Sequence, residues 1–140
     1  MPGTMTQVAQ EAWTTYQNLT GRDSDDIKLL ADPFKSFTAA TGQYDALAPK
    51  LEADKPDNGT VQKGVDVVTV MDGAFANLAE VIASFKAKDE KIIAGTVVDQ
   101  GVVKAKYATQ ETTDQNLLSA LNDVLYQCQL TVMAAKFGDG

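Results

Sequence analysis

The sequence predicts an all-α fold, an antiparallel bundle of about five helices in one domain over residues 1–140. Three observations carry this. Apolar residues recur at three- and four-residue spacing along most of the chain, the period of one helix face. Turn-forming residues fall between the periodic runs, at Gly21 and at Lys55-Pro56-Asp57-Asn58-Gly59. With 140 residues, 44% of them apolar, the chain can bury a real core.

The first helix is expected over Thr6–Leu19, where Met5, Val8, Ala12, Tyr16 and Leu19 keep helical spacing and Gly21 ends the run. Asp23-Ser24-Asp25-Asp26 caps a short apolar turn, Ile27–Leu30, because acidic groups suit the positive end of the helix dipole. Asp32-Pro33 reads as a cap followed by proline at a first helical position. Phe34, Phe37, Thr41, Tyr44 and Leu47 line one face of that helix, and Pro49 bends or ends it. From Val61 the row Val61, Val65, Val68, Met71, Phe75, Leu78, Ile82 and Phe85 marks an amphipathic helix about 37 Å long at 1.5 Å per residue. The last helix starts at Thr112 or Thr113, with Leu117, Leu121, Val124, Cys128 and Val132 as its stripe.

Between these two helices lies Ile92–Val103, "IIAGTVVDQGVV". Its β-branched pairs look like strands. A lone hairpin would be marginal in water, however, and no sheet partners are available. The segment Lys86–Tyr107 is therefore read as a helix, broken at Gly95 or Gly101. Ile92, Ile93, Val97, Val103 and Tyr107 fall on one side of a helical wheel, with Val98, Val102 and Ala105 opposite. Apolar on both sides, such a helix belongs between layers. It is either a central core helix or a helix beside a ligand cavity, its glycines leaving room near the backbone.

Composition narrows the function. The net charge is −7, from 19 acidic and 12 basic residues, and Arg22 is the sole arginine. This argues against nucleic acid, which requires clustered cations, and against docking on an anionic membrane. Lys86, Lys88 and Lys91 form a small basic cluster that reads as a solvated face. Histidine, the commonest general base and metal ligand, is absent. Cys128 is the only cysteine and sits on an apolar stripe, so it reads as a buried thiol. Asp23, Asp25 and Asp26 lack the glycine and distal glutamate of a calcium loop, which leaves capping as their role. No metal, cofactor or catalysis is expected. No apolar run reaches the roughly 18 residues of a membrane span, and MPGTMTQVAQEAW lacks the basic and apolar regions of a signal peptide. Asn18-Leu19-Thr20 and Asn58-Gly59-Thr60 would be glycosylation sites on a eukaryotic secretory route. Tyr16, Tyr44, Tyr107 and Tyr126, with Gln43 and Gln100, could give polar contacts to an apolar pocket.

The stretch Phe85–Leu121 resembles the C-terminal half of fungal hydrophobic-surface-binding and cell-wall mannoprotein domains. The matching pieces are Lys88, Lys91, Ala94-Gly95, Val102-Val103 and Leu117-Leu118-Ser119-Ala120-Leu121. The resemblance covers about a quarter of the chain. It implies a secreted or cell-wall five-helix bundle that encloses a fatty acid or coats hydrophobic surfaces, without catalytic residues. The resulting expectation is non-catalytic binding of a long-chain fatty acid in a cavity between helices, lined by Phe37, Tyr44, Phe75, Leu78, Ile82, Ile93, Val97 and Leu121. The alternative is a structural or protein-interaction bundle with a packed core and no ligand. The two differ in whether an apolar void of several hundred Å³ lies between the helices.

Overall fold

The computed structural model describes residues 3–138. It contains four helices: α1 (Met5–Leu19), α2 (Ser24–Leu51), α3 (Asn58–Ala94) and α4 (Gln100–Phe137). The described residues include no strand. Short connections at 20–23, 52–57 and 95–99 reverse the chain, so neighbours in sequence pack side by side. α1 lies against α2 and α4, while α3 closes the bundle on the other side of both.

The all-α expectation holds, with four helices rather than five. The turn Ile27–Leu30 and the helix expected after Asp32-Pro33 are one continuous helix. Its true start is Asp23, whose carboxylate accepts from the Asp26 amide at 3.0 Å. That bond leaves Pro33 inside α2 rather than at a first position. An internal proline forfeits a backbone hydrogen bond. Here Leu30, Phe34 and Phe37 bury their side chains on either side of it, each burial stabilising by roughly 1.5–3 kcal/mol. Pro49 falls near the end of α2, which stops at Leu51.

The expected helix Lys86–Tyr107 does not stand alone either. Its first part extends α3 to Ala94, the chain turns over 95–99, and the remainder opens α4. The break falls at Gly95, one of the two positions expected. The placement between layers is corrected: Val97 is 93% exposed.

The starts of α1, α2 and α3 carry side-chain caps, and that of α4, at Asp99, carries none. Thr4 and Gln7 form a reciprocal capping box on α1, and Asp57 accepts from the Thr60 amide at 2.7 Å. A tertiary cap adds to the first. Asp45, on α2, accepts from the Met5 and Thr6 amides at 2.9 and 3.1 Å and from the Thr6 hydroxyl at 2.7 Å. This fixes the start of α1 against α2.

The core runs the length of the bundle through Ala9, Tyr16, Leu30, Phe37, Met71, Leu78, Phe85, Leu121 and Cys128. Trp13 stacks on Phe34 at a centroid distance of 4.6 Å and locks α1 to α2. Burial raises the Cys128 thiol to about 12, with Asp45 adding to the effect. The expectation that no stretch reaches a membrane span is corrected: α3 contains an 18-residue stretch apolar enough by length and composition to cross a membrane. In the bundle that stretch packs against α2 and α4 along one face.

Candidate functional site

The eight residues expected to line a cavity fall into two groups. Phe37, Tyr44, Leu78, Ile82 and Leu121 are buried in the core, and Phe75 packs against it half-buried. Phe37, Leu78 and Leu121 are wholly inaccessible. Ile93 is half-buried and Val97 stands in solvent, both beyond the last core residues of α3. The structure thus gathers six of the eight and separates two. Two open surface depressions touch none of them. One, of about 940 Å³, lies at the end of the bundle around 51–56 and 131–138. The other, of about 350 Å³, lies beside Leu19, Gly21, Lys106 and Gln110.

The exposed group belongs to the α3–α4 hairpin. No residue from Glu90 to Thr109 is buried. Ile93, Thr96, Val103 and Tyr107 are half-buried, and the other positions of that span are exposed. At its apex Val97, Val98 and Val102 are 93%, 75% and 70% exposed. At 1.5 Å per residue, Gln100 lies about 15 Å along α4 from Gln110, where burial resumes.

The turn is closed by its own hydrogen bonds. The Gly95 amide donates to the Lys91 carbonyl at 3.0 Å, and the Thr96 amide to the Ile93 carbonyl at 3.1 Å. The Thr96 hydroxyl donates to the Ile92 carbonyl at 2.7 Å, and Gln100 Nε2 reaches the Ile93 carbonyl at 2.8 Å. Three helix-end carbonyls that would otherwise face water are therefore satisfied internally. Asp99 takes a left-handed conformation, φ 55°, which reverses the chain, and its carbonyl accepts from the Val102 and Val103 amides. The end of α3 is thus closed by hydrogen bonds, whereas the backbone amides and carbonyls of Val97 and Val98 have no partner among the described residues and face water.

At the base of the hairpin lies a buried ionic clasp. Arg22, in the α1–α2 connection, donates through Nη1 and Nη2 to Asp89 on α3 at 3.0 and 2.8 Å. Its Nε and Nη2 donate to Asp114 on α4, at 3.0 and 2.7 Å to Oδ2. The Tyr16 hydroxyl adds a bond to Asp114 at 2.7 Å, and the guanidinium lies 4.6 Å from the Phe85 ring centroid. Burial alone would lower the Arg22 pKa; the hydrogen bonds and charges of the two aspartates outweigh it and raise it. Burial also raises the Tyr16 hydroxyl, with Asp114 acting in the same direction. Among the described residues no buried side-chain polar atom lacks a partner. The clasp ties three elements together where the core ends, leaving the hairpin beyond it.

This clasp was absent from the expected site, although the sequence carries its signal. Asp89 continues the row Leu78, Ile82, Phe85, and Asp114 precedes Leu117 and Leu121 at the same helical spacing. An acid on an apolar stripe calls for a buried cation, and Arg22 is the only arginine to supply it.

A second apolar surface, Tyr126, Leu130, Met133 and Phe137, runs along the end of α4 at helical spacing, with exposures from 41% to 69%. Among the described residues no three potential metal ligands converge. Comparison with protein families, with curated proteins and with solved structures gives no match for this chain.

Proposed function

We propose that the protein is a non-catalytic interaction module, a packed four-helix scaffold that presents the 90–109 hairpin as its contact surface. The observation that carries this reading is the exposure of Val97, Val98 and Val102 at the apex of a segment with no buried residue. Ordering a residue costs roughly 1–2 kcal/mol of backbone entropy. A hairpin that buries so little contributes little to folding in return, and its apolar apex is better accounted for by contact with something outside the bundle.

Storage of a fatty acid between the helices is the competing reading. The packed reading is favoured over it by the complete burial of Phe37, Leu78 and Leu121 and by depressions that lie at the bundle ends, away from those residues. The deciding experiment is a calorimetric titration of a long-chain fatty acid into delipidated protein. The packed scaffold gives no saturable heat. A one-to-one isotherm that Leu78→Trp abolishes would establish the cavity reading instead.

A further inference from the structure

Building on the hairpin as contact surface, we infer that its partner is the surface of an anionic lipid bilayer. The charge distribution carries this step. Residues 86–110 hold five lysines and three acidic residues, a net charge of +2; the remainder of the chain, with seven basic and sixteen acidic residues, is −9. Asp89 is bound to Arg22 within the clasp; Glu90 and Asp99 are set against Lys91, Lys104 and Lys106 in the hairpin, while Lys86 and Lys88 stand at its base, where Lys88 pairs with Asp26 of α2. The overall acidity of the chain therefore conceals a basic end.

The lysines lie at graded distance from the apolar apex along α3 and α4. Lys91 lies within about one turn of the end of α3, and Lys104 about one turn into α4. Lys106 follows about half a turn further from the apex and Lys88 most of a turn, with Lys86 beyond them. All five are exposed. Lys88 also reaches Asp26 at 3.3 Å. Tyr107 is half-buried at the same level, with Lys106 Nζ 5.5 Å from its ring centroid. Apolar side chains at the tip, then an aromatic and flexible cations, is the order in which an interface presents acyl chains and then phosphates. The carbonyls of Lys91, Ile92 and Ile93 are occupied, but the amides and carbonyls of Val97 and Val98 have no partner among the described residues, so the apex backbone stays at the hydrated headgroup level. Asp99 is exposed in the same turn, which holds the apex at headgroup depth rather than in the hydrocarbon. The hairpin thus docks by shallow insertion of Val97, Val98 and Val102 while the lysines nearest the apex engage lipid phosphates.

The test is vesicle flotation of the full chain with phosphatidylcholine vesicles, with and without phosphatidylglycerol. Wild type floats with the anionic vesicles and is released by salt, because surface charge is screened. Lys91→Gln/Lys104→Gln/Lys106→Gln weakens partitioning on the order of a hundredfold, about fivefold per lysine. Val97→Ser/Val98→Ser/Val102→Ser also loses flotation, although circular dichroism shows it folded. Equal binding to neutral vesicles, or no loss in the lysine variant, overturns the inference. So does tip-dependent dimerisation in sedimentation velocity, which assigns the apex to a second copy. Failure to float combined with tip-dependent retention on an alkyl matrix removes the bilayer and leaves the hairpin as contact surface; absence of both removes the hairpin as well.

Discussion

Arg22 Nη2 lies 2.8 Å from Asp89 Oδ2 and 2.7 Å from Asp114 Oδ2, so one guanidinium holds α3 and α4 together at the level where the core ends. Charges taken out of water at this depth are tolerable only as a complete set. Arg22→Met leaves two carboxylates facing each other in the interior and is expected to cost about 3–5 kcal/mol in urea denaturation. Arg22→Lys does not restore the loss, because an ammonium cannot bridge both carboxylates with the fork of a guanidinium. Tyr16→Phe, which removes one bond to a charged carboxylate, is expected to cost about 1.5–3 kcal/mol.

Glu111 lies at the edge of this clasp. Burial, and then the neighbouring Asp89, raise its carboxyl above the ordinary value. The folded state therefore binds that proton more tightly than the unfolded chain. Stability is lost as pH rises from the ordinary glutamate range through the raised value, and is regained as pH falls back through it. Glu111→Gln is thus expected to raise the melting temperature at neutral pH. Melts repeated below the ordinary carboxylate range should show the difference gone.

Two glycines of α3 separate packing from propensity. A Cβ at Gly73 would meet nothing within 4 Å, whereas one at Gly64 would come within 3.1 Å of both Leu51 and Val132. Gly73→Ala should therefore gain the helix-propensity difference, about 0.8–1 kcal/mol. Gly64→Ala forces Leu51 and Val132 to move, and its gain should be cancelled or reversed. Equilibrium unfolding of the two variants provides the comparison.

Cys128 is wholly buried, and burial pushes its thiol up to about 12. A bulky thiol reagent should label native protein slowly and denatured protein rapidly, since attack requires both access and the thiolate. Stoichiometric labelling of native protein within the dead time of mixing would contradict the core drawn around Leu121 and Val124.

Periodicity made the long helices legible. The row from Leu117 to Val132 gives the buried face of α4, and Met71, Leu78, Ile82 and Phe85 lie on that of α3; earlier in α3 the buried positions are Thr60, Gly64 and Val67, one residue off the expected Val61, Val65 and Val68, and Ala74 is buried where Phe75 is half-buried. The fused α2 was hidden because Asp32-Pro33 imitates a helix start, and Asp23, nine residues earlier, is the cap actually in use. The hairpin was hidden for a different reason. Periodicity reports which residues are apolar, not whether anything covers them, so Ile92–Val103 read as a helix buried between layers. Its exposure follows from the lengths of α3 and α4, which continue past the end of α1 and past the start of α2, and no local pattern encodes that mismatch. Five of the proposed pocket residues, Phe37, Tyr44, Leu78, Ile82 and Leu121, are buried, but an inward stripe has the same spacing whether it faces a void or another side chain.

The most direct test of the hairpin as contact surface is retention of the full chain on an alkyl matrix, comparing two variants that each remove three exposed apolar side chains. One is Val97→Ser/Val98→Ser/Val102→Ser at the apex. The other is Leu130→Ser/Met133→Ser/Phe137→Ser on the exposed row of α4. Retention is expected to fall sharply for the apex variant, with its unfolding midpoint unchanged, and to stay near wild type for the α4 variant. Retention that survives removal of the three valines and disappears with the α4 row would place the contact surface on α4 and contradict the account.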